Sequence, residues 1–323
     1  MNEFDLIAKY FTRPTQRALL GVGDDCALLE PSKSMHQCIT SDMLVEGTHF
    51  LSTVDPYRLG VKSLAVNLSD LAACAASPTA FTLSLSLPRV DVSWLEGFSK
   101  GLWDIALEFG VDLVGGDTTR GPLCICITAI GEVPPGDALL RSGALEGDDI
   151  YVSGTLGDAA WAFDVFRGNA SVDPSIFERI RRRLEQPIPR VKLGVALRGV
   201  ANACVDVSDG LIGDLNHILK RSQVGAELST EWINNSEAIS GDLRELPLPK
   251  RLDYVLSGGD DYELLFTASR DARDEVQFAG LQTKTPLTRI GHITKEKGLK
   301  VFDLHGELIQ RRFASFDHFQ RTA

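Results

Sequence analysis

Six short aspartate-bearing segments carry most of the chemistry this chain could do. They are Gly23-Asp24-Asp25, Thr40-Ser41-Asp42, Asn67-Leu68-Ser69-Asp70, Gly115-Gly116-Asp117-Thr118-Thr119, Asp206-Val207-Ser208-Asp209-Gly210 and Gly258-Gly259-Asp260-Asp261-Tyr262. A carboxylate at a strand end, beside a glycine and a hydroxyl, suits Mg²⁺. That ion takes hard oxygen ligands and keeps waters and substrate phosphates in its shell. Singly, each segment has a plainer reading. Asp25 can cap a turn, Asp70 can be a solvated helix residue, and His49 in Glu46-Gly47-Thr48-His49-Phe50 can be a surface or core histidine. Together, in an acidic chain, they predict converging acids that hold several metal ions and, through them, a polyphosphate.

Other phosphate-binding designs are excluded by residue type. No Gly-x-x-x-x-Gly-Lys-Ser/Thr segment is present, so this is not a P-loop protein. Gly21-x-Gly23 could open a dinucleotide fingerprint, but Cys26 stands where the third glycine belongs, and Asp24-Asp25 would face the pyrophosphate. Each such carboxylate–phosphate pair repels by about 4 kcal/mol at ~4 Å and an effective dielectric near ~20. A bridging cation reverses that sign. Asp206 and Asp209 flank Ser208 just before a predicted helix start, where amides and the helix dipole favour anions.

The elements that must position these residues are legible as patterns. Residues 4–11 read as a short helix and 36–43 as a strand ending in Asp42. Asp55 followed by Pro56 starts a helix running to about Ala76, with Leu59, Leu64, Leu68, Leu71 and Ala72 on its apolar side. Asn67 and Asp70, three apart, share one of its faces. Residues 81–87 alternate as a half-buried strand. A helix over 92–109, a strand over 111–115, the Gly-Gly-Asp turn and a strand over 123–133 follow. The joint between domains 1–140 and 141–323 is placed at Arg141 to Asp149. Beyond it come a strand at 150–154, a helix from 158, helices over 175–185 and 189–199, a strand over 204–208 and a helix over 211–220. Further strands are expected at 225–229, 262–268, 288–293 and 299–303. This is an α/β chain with mixed sheets. Two weak echoes, Ser69-Asp70-Leu71 with Ser208-Asp209-Gly210-Leu211 and the doubled Gly-Gly-Asp, leave an internal duplication open.

The 323 residues suffice for two domains. A net charge of −11 argues against a nucleic-acid partner. No apolar run approaches the roughly 20 residues that span a bilayer. The acidic start Met1-Asn2-Glu3-Phe4-Asp5 does not read as a signal peptide. Six cysteines without a Cys-x-x-Cys pair read as small buried thiols in a reducing cytoplasm.

Seven motifs, in order and spacing, resemble the bacterial thiamine-monophosphate kinases. They are Gly-Val-Gly-Asp-Asp-Cys-Ala-Leu-Leu (21–29), Ser-Asp-x-Leu-Val-x-Gly-Thr-His-Phe (41–50), Ala-Val-Asn-Leu-Ser-Asp-Leu-Ala-Ala (65–73), Val-Gly-Gly-Asp-Thr-Thr-Arg-Gly (114–121), Asp-Val-Ser-Asp-Gly-Leu (206–211), Ser-Gly-Gly-Asp-Asp-Tyr-Glu-Leu (257–264) and Phe-Asp-His-Phe (316–319). The likeness covers nearly the whole chain. That family belongs to the superfamily typified by aminoimidazole ribonucleotide synthetase, with selenophosphate synthetase and a hydrogenase maturation factor. The resemblance implies a two-domain fold of that type, with N-terminal sheets joined into a barrel-like interface of a homodimer. It implies transfer of the γ-phosphoryl group of ATP to thiamine monophosphate, giving thiamine diphosphate. It carries over Asp25, Thr40, Ser41, Asp42, Asp70, Asp117, Asp206 and Asp209 as magnesium ligands, with Asp42, Asp70, Asp117 and Asp209 at the reaction. Gly116, Asp117, Arg141, Ser208 and Phe109 carry over to ATP, and His49, Asp260 and Phe316 to the thiamine substrate. The family often has Glu at the position of Asp260 and another aromatic at that of Phe316, so charge and ring are kept.

The chemistry agrees with this reading. Both reactants are anions, and divalent ions would reverse the field of an acidic pocket. The acceptor oxygen is already ionised, so placement and charge neutralisation suffice. A thiazolium cation suits an acid and an aromatic face. Taken without the resemblance, the residues stop at metal-dependent handling of phosphates. A sister enzyme with another acceptor, a non-catalytic nucleotide-and-metal binding subunit and a Mg²⁺-dependent phosphatase stay open.

Overall fold

The computed structural model describes residues 2–311 and residue 313. The described chain falls into two compact units. One runs to Leu71 and resumes over Ala76–Gly136; the other holds Ala72–Ala75 and the residues from Asp137 onward.

The first unit begins with α1 (Glu3–Leu6), capped reciprocally by Asn2 and Asp5. The expected helix does not stay regular, because the turns over Ile7–Phe11 widen to a π-helix. Strands β1 (Ala18–Leu20) and β2 (Leu28–Leu29) form a small antiparallel pair. The main sheet is built from β3 (His36–Val45), β4 (Ser77–Leu87), β5 (Asp112–Arg120) and β6 (Cys124–Val133), in the order β3-β6-β4-β5. Only β4 and β5 pair in parallel, so the sheet is mixed. Helices α2 (Pro56–Ala73) and α3 (Val92–Phe109) bury their apolar stripes, Leu59, Leu64, Leu68 and Leu71 on α2 and Leu95, Phe98 and Leu102 on α3. On the sheet Leu44, Leu83, Leu85, Ile125 and Ile127 are buried, while Ile39 and Met43 on the opposite face are exposed.

Three expectations need correction here. Strand β3 continues to Val45, so Asp42 lies within the strand and not at its end. Helix α2 ends at Ala73, because Ala75 takes a left-handed φ of 56° and the Ala76 amide folds back to the Leu71 carbonyl. Gly115-Gly116-Asp117 is not a turn. It lies inside β5, which keeps its pairing with β4 past a register irregularity at Phe81/Thr82. Gly116 makes that possible. It sits at φ 145°, and a Cβ there would lie 1.8 Å from the Leu83 carbonyl oxygen.

In the second unit the strands are β7 (Asp149–Ser153), β8 (Ala201–Asp206), β9 (Gly225–Ser229), β10 (Leu264–Ala268), β11 (Leu287–Thr294) and β12 (Gly298–Phe302). They form one sheet ordered β12-β9-β11-β7-β10-β8. Only β12 and β9 are parallel. The helices are α4 (Asp158–Phe166), α5 (Pro174–Glu185), α6 (Val191–Ala196), α7 (Leu211–Ser222), α8 (Thr230–Asn234), α9 (Gly241–Arg244), α10 (Leu248–Ser257) and α11 (Arg273–Thr283). The core is a continuous cluster that includes Ile150, Val152, Val205, Leu215, Ile218, Val255, Leu265 and Ile290. Strand β10 starts at Leu264 and not at Tyr262, because Tyr262 itself has a left-handed φ of 52°.

All six cysteines are free thiols, but only Cys204 is buried. The expectation of buried thiols fails for the others. Cys26 sits on an exposed segment, and Cys124 and Cys126 line the partly open face of β6. Among the described residues no helix is long and apolar enough to cross a membrane.

Candidate functional site

In the first unit, β3 and α2 meet at a polar corner. Strand alternation turns Thr40 and Asp42 toward the helix side of the sheet. The Thr40 hydroxyl donates a short hydrogen bond to Asp70 Oδ2. One helical turn earlier, Asn67 is fully buried. Its Oδ1 accepts the Asp42 amide at 3.1 Å, and its Nδ2 donates to the Ser63 carbonyl at 3.1 Å. Asn67 therefore locks the register of strand against helix and aims Asp42 and Asp70 into one corner. Beyond the end of β3, His49 Nδ1 accepts the Val45 amide at 3.0 Å. The neutral ring then carries its proton on Nε2. Lys62 is only 2% exposed, and its ammonium donates to the His49 carbonyl at 3.4 Å.

Other expected ligands do not join that corner. Ser41 points to the opposite face of β3, because neighbours on a strand alternate. Its hydroxyl bonds Thr128 Oγ1 at 3.0 Å and the Ile127 carbonyl at 3.2 Å. Asp117 is exposed on β5 and pairs with Ser84, on the face that carries Cys126 and Met43. Two strands separate β5 from β3, so Asp117 and Gly116 lie about 14 Å from Asp42. Asp25 is exposed between β1 and β2, its amide donating to Asp24 Oδ1. Phe109 is the last residue of α3 and half-buried; Gly116 lies four residues into β5, about 13 Å along the strand from Asp112. Phe316 lies outside the described residues.

The second unit holds a pair of interlocked loops. Strand β8 ends at Asp206, which is 3% exposed. The following loop is stitched to the loop before β10: the Val207 amide donates to the Glu263 carbonyl (2.8 Å), the Tyr262 amide to Val207 (2.8 Å) and the Asp260 amide to Ser208 (2.9 Å). Gly259 is required for this approach, since a Cβ on it would lie 2.3 Å from the Ser208 carbonyl oxygen. From below, Asp214 in the first turn of α7 accepts the amides of Ser208 and Asp209 through one oxygen, both at 3.0 Å. Burial, then the charge of Asp209, raises the Asp214 carboxyl to about 7, against the pull of those amides and of Arg141. Burial and then Arg141 hold His217 below the usual imidazole range. Arg141 thus projects its charge onto the loop that presents Ser208 and Asp209.

Sequence reasoning missed Asp214, Lys62, Glu263 and Tyr262. Two of them left a signal. Asp214 is an acid in a first helical turn, where reach-back to loop amides is common. Lys62 stands three residues after Leu59, on the apolar stripe of α2, where a lysine is out of place.

The donors suit a hard cation in kind. The Thr40 hydroxyl and the Asp42 and Asp70 carboxylates are all oxygen, and so few of them would leave positions to water and phosphate, as Mg²⁺ prefers. In number they fall short of the expected convergence. Among the described residues no group of three or more His, Cys, Asp or Glu side chains is placed to hold a metal ion. The expected acids are divided among the corner on β3 and α2, strand β5, the segment between β1 and β2, and the loops after β8 and before β10.

Comparison with known proteins gives this arrangement a context. Residues 23–133 match the family model "AIR synthase related protein, N-terminal domain", and residues 135–304 match the corresponding C-terminal domain. The chain is 44% identical over 322 residues to thiamine-monophosphate kinase of Escherichia coli K12, covering 98% of each chain. It is 32% identical to that of Bacillus subtilis, over 99% of this chain and all of the relative. Among solved structures, thiamine-monophosphate kinase from Stenotrophomonas maltophilia K279a superposes with a TM-score of 0.84 at 44% identity, covering 95% of this chain and 96% of the other. AaThiL complexed with AMPPCP and TMP superposes at 0.76 with 29% identity, over 92% of both chains.

Proposed function

The chain belongs to the thiamine-monophosphate kinase family of AIR synthase related proteins, and from that membership we infer the reaction it performs. It transfers the γ-phosphoryl group of ATP to the phosphate of thiamine monophosphate, forming thiamine diphosphate and ADP. The observation that carries this is the 44% identity over 98% of both chains. A similar chain complexed with AMPPCP and TMP supports the same pair of reactants.

Within this reading Thr40, Asp42 and Asp70 from the first unit, and Asp206 and Asp209 from the second, would hold Mg²⁺. Mg²⁺ held by these residues would offset the negative charge of the phosphates. Arg141 and the Ser208 hydroxyl contact the ATP phosphates, next to the amino end of α7, where anions are favoured. His49, with its proton on Nε2, donates to an acceptor on the thiamine substrate, and Asp260 faces the thiazolium cation. Gly116 and Asp117 serve a different part of the reactants from Asp42, given their separation along the sheet. Asp25, Ser41, Phe109 and Phe316 stay in the proposal as peripheral members. No general base is needed, because the attacking phosphate oxygen is ionised at neutral pH. The first unit supplies the metal corner of Thr40, Asp42 and Asp70, and the second supplies Arg141, Ser208, Asp206 and Asp209.

We also propose a homodimer formed through the open face of the first sheet. Ile39 and Met43 are 66% and 55% exposed there, beside Ser41 and Thr128. Six free cysteines support a reducing, cytoplasmic setting.

Incubation of the purified chain with ATP, Mg²⁺ and thiamine monophosphate should yield thiamine diphosphate, read by fluorescence after oxidation. Phosphate released without an acceptor would point to a phosphatase, and bound ATP without ADP to a regulatory subunit. Asp42→Asn and Asp70→Asn should each lower turnover by about 100-fold or more while the circular dichroism spectrum is unchanged. Near-normal turnover at saturating Mg²⁺ would remove both residues from the ligand set.

A further inference from the structure

The loop that presents Asp260 is held in a backbone shape its own residues disfavour. Asp260 and Tyr262 both take left-handed φ, 65° and 52°, a region that residues bearing a Cβ seldom adopt and that persists only where the surroundings enforce it. The surroundings do so here. Asp261, between them, is 1% exposed and accepts the Gly157 amide with both oxygens, at 3.0 and 2.9 Å. Glu263, with no exposed surface, accepts Ser153 Oγ at 2.6 Å, Arg183 Nη2 at 2.7 Å, and Arg190 Nε and Nη2 at 2.6 Å each. The amides of Asp260 and Tyr262 are taken by Ser208 and Val207. The odd residues of the segment are therefore buried anchors, and the even ones are left partly exposed. Their side chains meet: the Tyr262 hydroxyl donates to Asp260 Oδ1 at 3.1 Å.

We propose that Tyr262 is a positioning residue for the thiamine substrate. Its hydroxyl holds the Asp260 carboxylate in one rotamer, turned toward the substrate cation. The buried Asp261 and Glu263 anchors hold the loop in the strained shape that lets the phenol reach. This rests on the assignment of Asp260 to the substrate made above. Ordering the acid before binding removes part of the cost of fixing it during binding. That effect acts on affinity for the cation, not on the phosphoryl transfer.

Tyr262→Phe removes the hydroxyl and keeps the ring. Steady-state kinetics should show KM for thiamine monophosphate raised about five- to tenfold, with kcat and the KM for ATP within about twofold. Because Tyr262 acts through Asp260, Tyr262→Phe should add nothing to KM in an Asp260→Asn background. If Asp260→Asn raises that KM and Tyr262→Phe leaves it unchanged, the inference is overturned while the substrate assignment stands. If Asp260→Asn itself leaves it unchanged, the assignment of Asp260 falls and takes the inference with it. Additive effects in the double variant, a matching rise in the KM for ATP, or a lowered melting temperature in Tyr262→Phe would each show that the hydroxyl does something else.

Discussion

Glu263 has no exposed surface, yet it is the point where four donors from three separate segments converge. Arg183 and Arg190 beside it are 17% and 15% exposed, so both charges are largely withdrawn from water. Burial opposes ionisation of Glu263, but the hydrogen bond and charge of Arg190, then Arg183 and Ser153, outweigh it and hold the carboxyl below its ordinary value. Glu263→Gln strands two buried guanidinium groups and should cost about 3 kcal/mol in urea unfolding at pH 7. The folded state depresses this pKa, so its contribution is whole above the unfolded value, about 4.5, and is lost as pH falls through the folded value. The gap between the parent protein and Glu263→Gln should therefore narrow below about pH 4. A gap that widens in acid would contradict the assignment of Glu263 as an ionised anchor.

Strand β5 shows how an element can be continuous where its sequence looks broken. Two glycines and an aspartate suggest a turn, but Gly115–Asp117 keep their pairing with β4, opposite Thr82, Leu83 and Ser84. The strand stays straight enough to pair because Gly116 can adopt φ 145° and let the Leu83 carbonyl approach. Gly116→Ala would force those backbones apart. We expect a loss of about 2–3 kcal/mol in denaturant unfolding, together with weaker ATP binding by calorimetry. Unchanged stability would mean that β5 has room the present geometry does not give it. The same logic, backbone against backbone, governs the loops after β8 and before β10, where Gly259 meets Ser208.

The first sheet presents an incompletely covered face to the outside, and this bears on the assembled molecule. Ile39 and Met43 on β3 are apolar and exposed, next to Ser41, Cys126 and Thr128, whose small side chains leave a smooth surface. Ile39→Asp places a charge on that face, on the edge strand β3, without touching the buried side. Sedimentation velocity should show the parent protein as a dimer and Ile39→Asp as a monomer, since an unpaired charge buried in an interface costs several kcal/mol. A variant that sediments like its parent would move the interface elsewhere. The net charge of −11 acts at this scale too. It sets a long-range field that repels anionic reactants.

Much of this protein was legible in its residues alone. The apolar stripe of α2, the alternation of β4 and the Asp55-Pro56 helix start all follow from local preferences that tertiary packing reinforces. The pairing of Asp70 with Asn67 on one helical face was equally available, because helix period is a local property. Other features depended on what lay across the gap. Whether Gly115-Gly116-Asp117 turns or continues was decided by β4. Whether Thr40, Ser41 and Asp42 act as a trio was decided by the sheet, which sends Ser41 to the other face. Whether Asp214 is a surface acid or a clamp was decided by the amides of Ser208 and Asp209, six and five residues back. Glu263 gives no sign in the chain of the two arginines that hold it, since they arrive from α5 and from the segment before α6. Short-range order is written in neighbours along the chain. Long-range pairing of buried charges and backbones is set by which segments the core brings together, and that is known only from the folded structure.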